Sequence, residues 1–359
     1  MDKALIAMSG GVDSSVAAAL MKKAGYDCIG VTMKLHGESA EVCSERSCCT
    51  EKDAEDARGV CFKLGMKYYV FNFTGDFEKE VINRFVSAYE TGCTPNPCID
   101  CNRYMKFDRL FRRGEELGCK YIVTGHYARV EFDEKSGRWL LKKSLNAQKD
   151  QSYVLYSLTQ EQLAHVKFPL GEFTDKEQVR ALAQELDLVN ADKKDSQDIC
   201  FVPDGDYVGF IRKYTGKEYP EGDFIGINGE ILGRHKGIIC YTIGQRKGFG
   251  LSFPQPMYVS AKNPAENTVT LAPESELYKT ELRARDFNWI SLAEPPKAPV
   301  RVSARTRYHA KEAEASVWTE EDGTVVVRFD EPQRAIASGQ AVVLYDGDVV
   351  VGGGTIVGF

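Results

Sequence analysis

Residues 9–15 read SGGVDSS and lie between a short apolar run, KALIAM, and a helical one. Glycine lets a backbone come close to an anion, and serine hydroxyls and N–H groups at a helix N-terminus can donate to phosphate oxygens. An Asp in such a loop calls for a divalent ion or a helix cap, and Asp13 suits either. The Lys of the commonest nucleotide loop is missing, and there is no GxGxxG turn. The second chemical group is a set of thiols. In TPNPCIDCNRYMKF, Cys98 and Cys101 follow two prolines, and Asn102 is placed to cap a helix beginning there. A thiol just before a helix N-terminus has its thiolate stabilised by the dipole, which makes Cys101 a reactive candidate. Cys200, in KKDSQDICFVPDGDY, would by itself pass for a small core residue.

These groups need a scaffold, and the chain alternates strands and helices. KALIAM, YDCIGVTMKL, KYYVFNF and KYIVTG read as strands. Residues 14–24, 51–65, 76–92 and 102–118 read as helices. Such alternation implies an α/β, doubly wound parallel sheet covered on both faces. The phosphate loop then sits at the carboxyl end of the first strand, where such sheets bind ligands. TGHY, ending another strand, brings Gly125 and His126 toward the same pocket. The pattern changes near Phe201, where Gly and aromatic residues accumulate and GIICYTIG suggests a strand. From about Glu281, APVRVSARTRY, AEASVWT, TVVVRFD and AVVLYDGDVVVGGGTIVG suggest a small antiparallel barrel or sandwich. Three domains are expected, over residues 1–200, 201–275 and 276–359.

At 359 residues, 27% charged and 43% hydrophobic, the composition is that of a globular protein of more than one domain. No basic leader and no apolar run near the ~20 residues of a membrane span is present, so a cytoplasmic protein with no membrane partner is expected. The cysteines number eleven, an odd count in a long chain, which argues for reduced thiols. Cys28, Cys61 and Cys119 have the neighbours of inert core thiols. Cys43, Cys48 and Cys49 in CSERSCC could form a site of their own and are left unassigned, as is Cys93.

Six motifs in order, SGGVDSS, TPNPxxxCN, TGHYAR, KDQSYVL, DSQDICF and YTIGQRKGFG, resemble those of the bacterial tRNA 2-thiouridylases, members of the PP-loop ATP pyrophosphatase superfamily. The resemblance spans nearly the whole chain. It implies that ATP adenylates the C2 oxygen of the wobble uridine, with pyrophosphate leaving, and that sulfur then displaces AMP. It implies ATP contacts from Ala7, Met8, Ser9, Gly10, Gly11, Asp13, Ser14, Ser15, Met33, Gly125 and His126, with Mg2+ accompanying the nucleotide. Cys101 corresponds to the first catalytic cysteine and Cys200 to the one that carries a persulfide. Many members have Asp where this chain has Cys98. The exchange leaves a base role vacant and creates a Cys-x-x-Cys pair, so that Cys98, Cys101 and Cys200 could instead hold a [4Fe-4S] cluster with one open iron. Zinc would need a fourth ligand that is not obvious. The persulfide and cluster mechanisms both remain open at this point. The sulfur donor is accordingly a cysteine desulfurase with its relay proteins, or free sulfide.

A net charge of −6 argues against general nucleic-acid binding, yet basic residues cluster in 101–113, 228–247 and 301–311. Tyr104, Tyr241 and Tyr308 accompany them as exposed-looking aromatics. A flipped wobble base needs a polar edge, for which Lys149, Asp150, Gln151, Ser152 and Tyr153 are candidates; an Asp capping a helix explains that segment equally well. Asn96, Asn102, Arg246, Lys247, Arg305, Arg307 and Tyr308 complete the expected tRNA contacts, and the resemblance suggests the tRNAs for Glu, Gln and Lys. Two rivals stand beside this reading. One is another PP-loop ligase or amidotransferase, which would not need the thiols. The other is a non-catalytic RNA-binding protein with a structural metal.

Overall fold

The computed structural model describes residues 1–36, 51–193, 199–202 and 204–359. Its chain divides into two units: residues 1–82, 97–205 and 348–350 form the first, and 83–96, 206–347 and 351–359 the second. In chain order the elements are β1 (Lys3–Ala7), α1 (Val12–Lys23), β2 (Asp27–Lys34), α2 (Glu51–Lys63), β3 (Lys67–Asn72) and α3 (Thr74–Phe77), which runs into a π-turn at Glu78–Ile82. Helix α4 (Asn83–Glu90) belongs to the second unit. The first resumes with α5 (Pro97–Asp100), a π-helix over Cys101–Arg109, α6 (Leu110–Glu116), β4 (Tyr121–Val123), β5 (Ala128–Asp133), β6 (Arg138–Lys143), α7 (Gln160–His165), β7 (Val166–Lys167) and α8 (Lys176–Glu185).

The central sheet runs β3-β2-β1-β4-β7 with every pair parallel. Period-two alternation in β1 explains why it is covered on both sides. Ala4, Ile6 and Met8 enter a core with Val16, Ala17 and Met21 of α1, Ala57 and Val60 of α2, and Val179 and Ala183 of α8. Leu5 points the other way, toward Gly114 of α6, where a Cβ would stand 3.5 Å from Leu5 Cδ2 and 2.6 Å from Ile122 Cδ1. The order reverses direction beside β1, which puts the SGGVDSS loop at the carboxyl edge of the sheet at its switch point. The β5–β6 hairpin escaped the sequence reading. Its strands mix charge into the alternation, and its turn is made by Gly137 at φ +66° and by the Asp133 carboxylate, which accepts from the N–H groups of Lys135 and Ser136.

The second unit contains α9 (Tyr207–Thr215), β8 (Gly222–Ile225), β9 (Ile231–His235), β10 (Tyr258–Asn263) and β11 (Thr268–Ala272), the strands ordered β10-β11-β8-β9. Here GIICYTIG is not a strand: residues 238–240 form a single 3-10 turn. Tyr241, expected at the surface, is 2% exposed. It packs against Phe224, His235 and Phe249, because the aromatic residues of this segment supply the core of a small sheet. The remaining strands, β12 (Tyr278–Trp289), β13 (Val300–Arg305), β14 (Ala313–Thr319), β15 (Val325–Arg334), β16 (Ala341–Asp346) and β17 (Val349–Gly358), follow one another as β12-β15-β14-β13-β16-β17. Pairing of β17 back onto β12 closes them into a six-stranded antiparallel barrel filled by Leu282, Val302, Val317, Val327, Phe329 and Leu344 among others. Closure removes both sheet edges.

Candidate active site

The phosphate loop is a preformed cradle. Gly10 adopts φ +74°, and a Cβ there would stand 2.4 Å from the carbonyl oxygen of Asp53, so only glycine fits. Helix α1 begins at Val12 with Gly11 as N-cap and no side-chain cap bond. Its first N–H groups therefore face the loop mouth, as an anion site requires. Ser14 and Ser15 do not reach into that mouth as expected. Both are buried, and each hydroxyl donates to Gly11 O at 3.0 Å, stitching the turn together. Ser9 is the exposed hydroxyl of the set. Ala7, Met8 and Met33 lie at the carboxyl ends of β1 and β2; Met8 N–H donates to Val31 O at 2.8 Å, and Met8 and Met33 are buried.

Asp13 is not the helix cap. It sits in the first turn of α1, where its Oδ1 accepts from the Lys176 ammonium and, at 2.8 Å, from the Tyr127 hydroxyl. TGHY does reach this loop: a Cβ on Gly125 would lie 2.8 Å from Asp13 C and Ser14 N, so β4's end packs directly on the start of α1. His126 is buried with Thr124 Oγ1 at 2.6 Å from Nδ1 and Lys106 Nζ at 3.5 Å from Nε2. Burial first, then the Lys106 charge, holds it well below the usual histidine range, so it is a neutral imidazole that ties β4 to the π-helix.

Three groups that brace the loop carried no sequence signal. Asn190 Nδ2 donates to Gly10 O at 2.8 Å and to Ser15 Oγ at 2.9 Å. Lys193 Nζ lies 3.2 Å from Gly10 O, 2.6 Å from Asp53 Oδ1 and 2.7 Å from Asp56 Oδ2. Lys176, at the start of α8, is buried against Asp13. All three come from a segment that follows the loop by more than 160 residues, which local pattern cannot connect.

The thiol helix starts earlier than expected. Pro97 occupies its first position, where a missing N–H costs nothing, so Cys101 falls in the second turn rather than before the N-terminus. Asn102 caps nothing; it is 2% exposed and its Nδ2 donates to Val154 O at 3.0 Å. From Cys101 the helix continues in π geometry for nine residues, a form that concentrates at functional positions. Cys98 is exposed, and Cys101 and Cys200 are half-buried. Cys200 precedes Phe201, which is buried against Phe77 at 5.9 Å between ring centroids. Cys28 and Cys61 are inert as expected, burial pushing them up to about 11 and about 12, and burial raises Cys119 as well. Among the described residues no group of three His, Cys, Asp or Glu side chains is placed to hold a metal ion. The three-thiolate cradle that Cys98, Cys101 and Cys200 could form in the cluster alternative is not assembled in this conformation, although a [4Fe-4S] cluster would require it. Cys43, Cys48 and Cys49 lie outside the described residues.

Residues 2–204 match the family described as the tRNA methyl transferase HUP domain, 208–273 the tRNA methyl transferase PRC-barrel domain, and 279–356 the aminomethyltransferase beta-barrel domain. A protein of Acetivibrio thermocellus named tRNA-specific 2-thiouridylase MnmA is 52% identical over 356 residues, 99% of both chains. Its namesake in Clostridioides difficile is 50% identical over 354 residues, 99% of this chain and 98% of the other. This chain belongs to the tRNA-specific 2-thiouridylase family.

For a 2-thiouridylase, the expected RNA contacts divide into two sets. In the KDQSY segment of the first unit, Ser152 and Tyr153 are 0% exposed and Asp150 5%. Asp150 accepts from the N–H groups of Ser144 and Ser152 and from the Ser152 hydroxyl at 2.8 Å. In this structure these side chains are turned inward and build a 3-10 turn at Ser152–Leu155. Gln151 Oε1 accepts from Tyr127 N–H, docking the segment onto TGHY. Lys149 and Gln151 stay partly exposed. In the second unit, Arg305 is engaged by Glu312 at 2.8 Å and lies over the Tyr345 ring, on the face of β13 opposite to the core residues Val302 and Ala304. Arg246, Lys247 and Arg307 are exposed and form no ion pair among the described residues, and Asn96 and Tyr308 are partly exposed.

Proposed function

We infer that this chain is an ATP-dependent tRNA-uridine 2-sulfurtransferase. It adenylates the C2 oxygen of the wobble uridine and inserts sulfur to give 2-thiouridine, releasing pyrophosphate and AMP. The observation that carries the reading is the uncapped N-terminus of α1 behind a glycine loop at the sheet's switch point. It offers N–H donors to a polyphosphate without the lysine of a phosphoryl-transfer loop. The methyl transfer in the matched family's description calls for neither this loop nor a pair of thiols.

The uridine C2 oxygen attacks the α-phosphorus and pyrophosphate leaves. The outer sulfur of a persulfide on Cys200 then attacks C2, and AMP departs with the former uridine oxygen. Cys101 thiolate attacks Cys200 Sγ, which frees 2-thiouridine and leaves a Cys101–Cys200 disulfide. A dithiol reductant resets it by two electrons. The sulfur comes from a cysteine desulfurase or its relay proteins. Magnesium accompanies the nucleotide phosphates; Asp13 is already neutralised by Lys176. Cys98 is not a required participant in this route, and no step passes through a cluster. Arg246, Lys247 and Arg307 contact tRNA phosphates, the substrates being the tRNAs for Glu, Gln and Lys. Residues 1–200 act as the catalytic domain, with 201–275 and 276–359 as tRNA-holding modules.

The test is a reconstituted reaction with unmodified tRNA, ATP, a persulfide donor and a dithiol, reading AMP and 2-thiouridine together. Both products are expected from iron-free protein prepared anaerobically, with Cys98→Ala retaining activity. Iron near four per chain that disappears with activity in Cys98→Ala would replace this route by the cluster. Full activity of Cys101→Ala and Cys200→Ala would point to a different PP-loop ligase, and tRNA binding with no AMP formed to a non-catalytic protein.

A further inference from the structure

We propose that Asn190 and Lys193 are positioning residues that preset the phosphate loop for ATP by fixing the peptide that joins Gly10 to Gly11. The inference rests on the reading of residues 9–15 as the ATP site. In a planar trans peptide the carbonyl and the N–H point in opposite directions. The Gly10 carbonyl is held by Asn190 Nδ2 at 2.8 Å and by Lys193 Nζ at 3.2 Å. The Gly11 N–H must then face the other side, the loop mouth, where its acceptor among the described residues is the exposed Ser9 hydroxyl at 3.4 Å. A phosphate oxygen is a better acceptor for that N–H and can replace the long bond.

Glycine at position 10 supplies the freedom that makes such a device necessary. A residue that tolerates both signs of φ can let its peptide turn over, and an inverted peptide would present a carbonyl to the phosphate instead of a donor. The contacts on Gly10 O select one orientation. Asn190 is 4% exposed and its amide orientation follows from its two acceptors, Gly10 O and Ser15 Oγ. Lys193 is anchored in turn by Asp53 and Asp56 at the start of α2. Partial burial opposes its charge, but those carboxylates prevail and hold it above the usual lysine range, so it stays an ammonium on the carbonyl side. Neither side chain is required to touch the nucleotide; both act through the loop.

The experiment measures dissociation constants of the full-length protein for ATP, inorganic pyrophosphate, adenosine and tRNA, in wild type, Asn190→Ala, Asn190→Asp, Lys193→Met and Lys193→Arg. Loss of a buried or charge-assisted hydrogen bond corresponds to roughly tenfold or more in affinity. ATP and pyrophosphate are expected to weaken by about that factor in Asn190→Ala and Lys193→Met, and further in Asn190→Asp, which sets an acceptor against the carbonyl. Adenosine and tRNA should change by less than about twofold, and Lys193→Arg should recover ATP binding to within about threefold. A general loss of structure would weaken all four ligands together and overturn the proposal. Should Lys193→Met not fold, Asn190→Ala, which leaves the ion pairs intact, decides by the same criterion. Wild type binding ATP and both Asn190 variants matching it would overturn the inference alone. Wild type binding neither ATP nor pyrophosphate would overturn the reading of the loop as well.

Discussion

The phosphate loop and the basic loops of the second unit are both expected to meet phosphate, and they are built in opposite ways. Around residues 9–15 the Ser14 and Ser15 hydroxyls are tied to the Gly11 carbonyl, and the Gly10 carbonyl and the Asp13 carboxylate to partners drawn from Tyr127, α8 and residues 190–193. Arg246, Lys247 and Arg307 stand exposed and without ion pairs among the described residues. A triphosphate must be aligned for attack at one phosphorus, so its site is worth presetting. An RNA backbone is recognised largely by charge, and long side chains in water can follow it at little cost. The difference predicts that single changes will be severe in the first region and graded in the second.

The sharpest break comes at the thiols rather than at either phosphate region. Cys200→Ser and Cys101→Ser are expected to lower 2-thiouridine formation by about a thousandfold or more while ATP and tRNA still bind, since sulfur transfer has no other carrier. Mass spectrometry of the tRNA reads it, and substantial residual thiolation would remove the cysteines from the chemistry. Next is Gly10→Ala. Its left-handed φ and a 2.4 Å approach to Asp53 O leave no room for a Cβ. Strain of about 1–3 kcal/mol plus the clash should lower the unfolding midpoint and cut AMP release at least a hundredfold. A variant as active as wild type would show the loop to be less preset than described.

Removing Arg246 and Lys247 together should weaken tRNA binding about ten- to a hundredfold near 0.1 M salt and reduce the salt slope by about two, with ATP affinity unchanged. An unaltered slope would take these cations off the RNA path. The smallest effect concerns pH. Burial depresses His36, and burial with the Lys106 charge depresses His126 further, both from an ordinary value of 6.5. The unfolded chain therefore binds protons below about pH 6.5 that the folded one does not, and stability is fully present above that pH and declines as the pH falls. His126→Asn should flatten this decline by up to about 1.4 kcal/mol per pH unit, read from urea unfolding between pH 5 and 7. An unchanged slope would mean that His126 titrates normally.

Several elements were legible because their signals are local. The strand, glycine turn and helix of residues 3–23 follow from an apolar run, two glycines and an alanine-rich helix. Pro97 could have announced the true helix start, since proline favours the first helical position, but Asn102 offered a competing cap. The β5–β6 hairpin and the 3-10 turn in place of GIICYTIG were missed where charge or aromatic content blurred the period. Asp150, Ser152 and Tyr153 had the polar or amphipathic character of contact residues, yet burial assigns them to a turn.

Residue order by itself determined the α/β framework, the place of the phosphate loop on it, and the thiols available for sulfur chemistry, because each depends on periodicity or spacing within a few residues. Tertiary structure decided which side chains are left to act. It turned Ser14 and Ser15 inward, gave Asp13 to Lys176 and Arg305 to Glu312, and brought Asn190 and Lys193 to Gly10 from 180 or more residues away. Hydrogen bonds and ion pairs form between groups that the fold makes neighbours, and separation along the chain carries no record of that proximity.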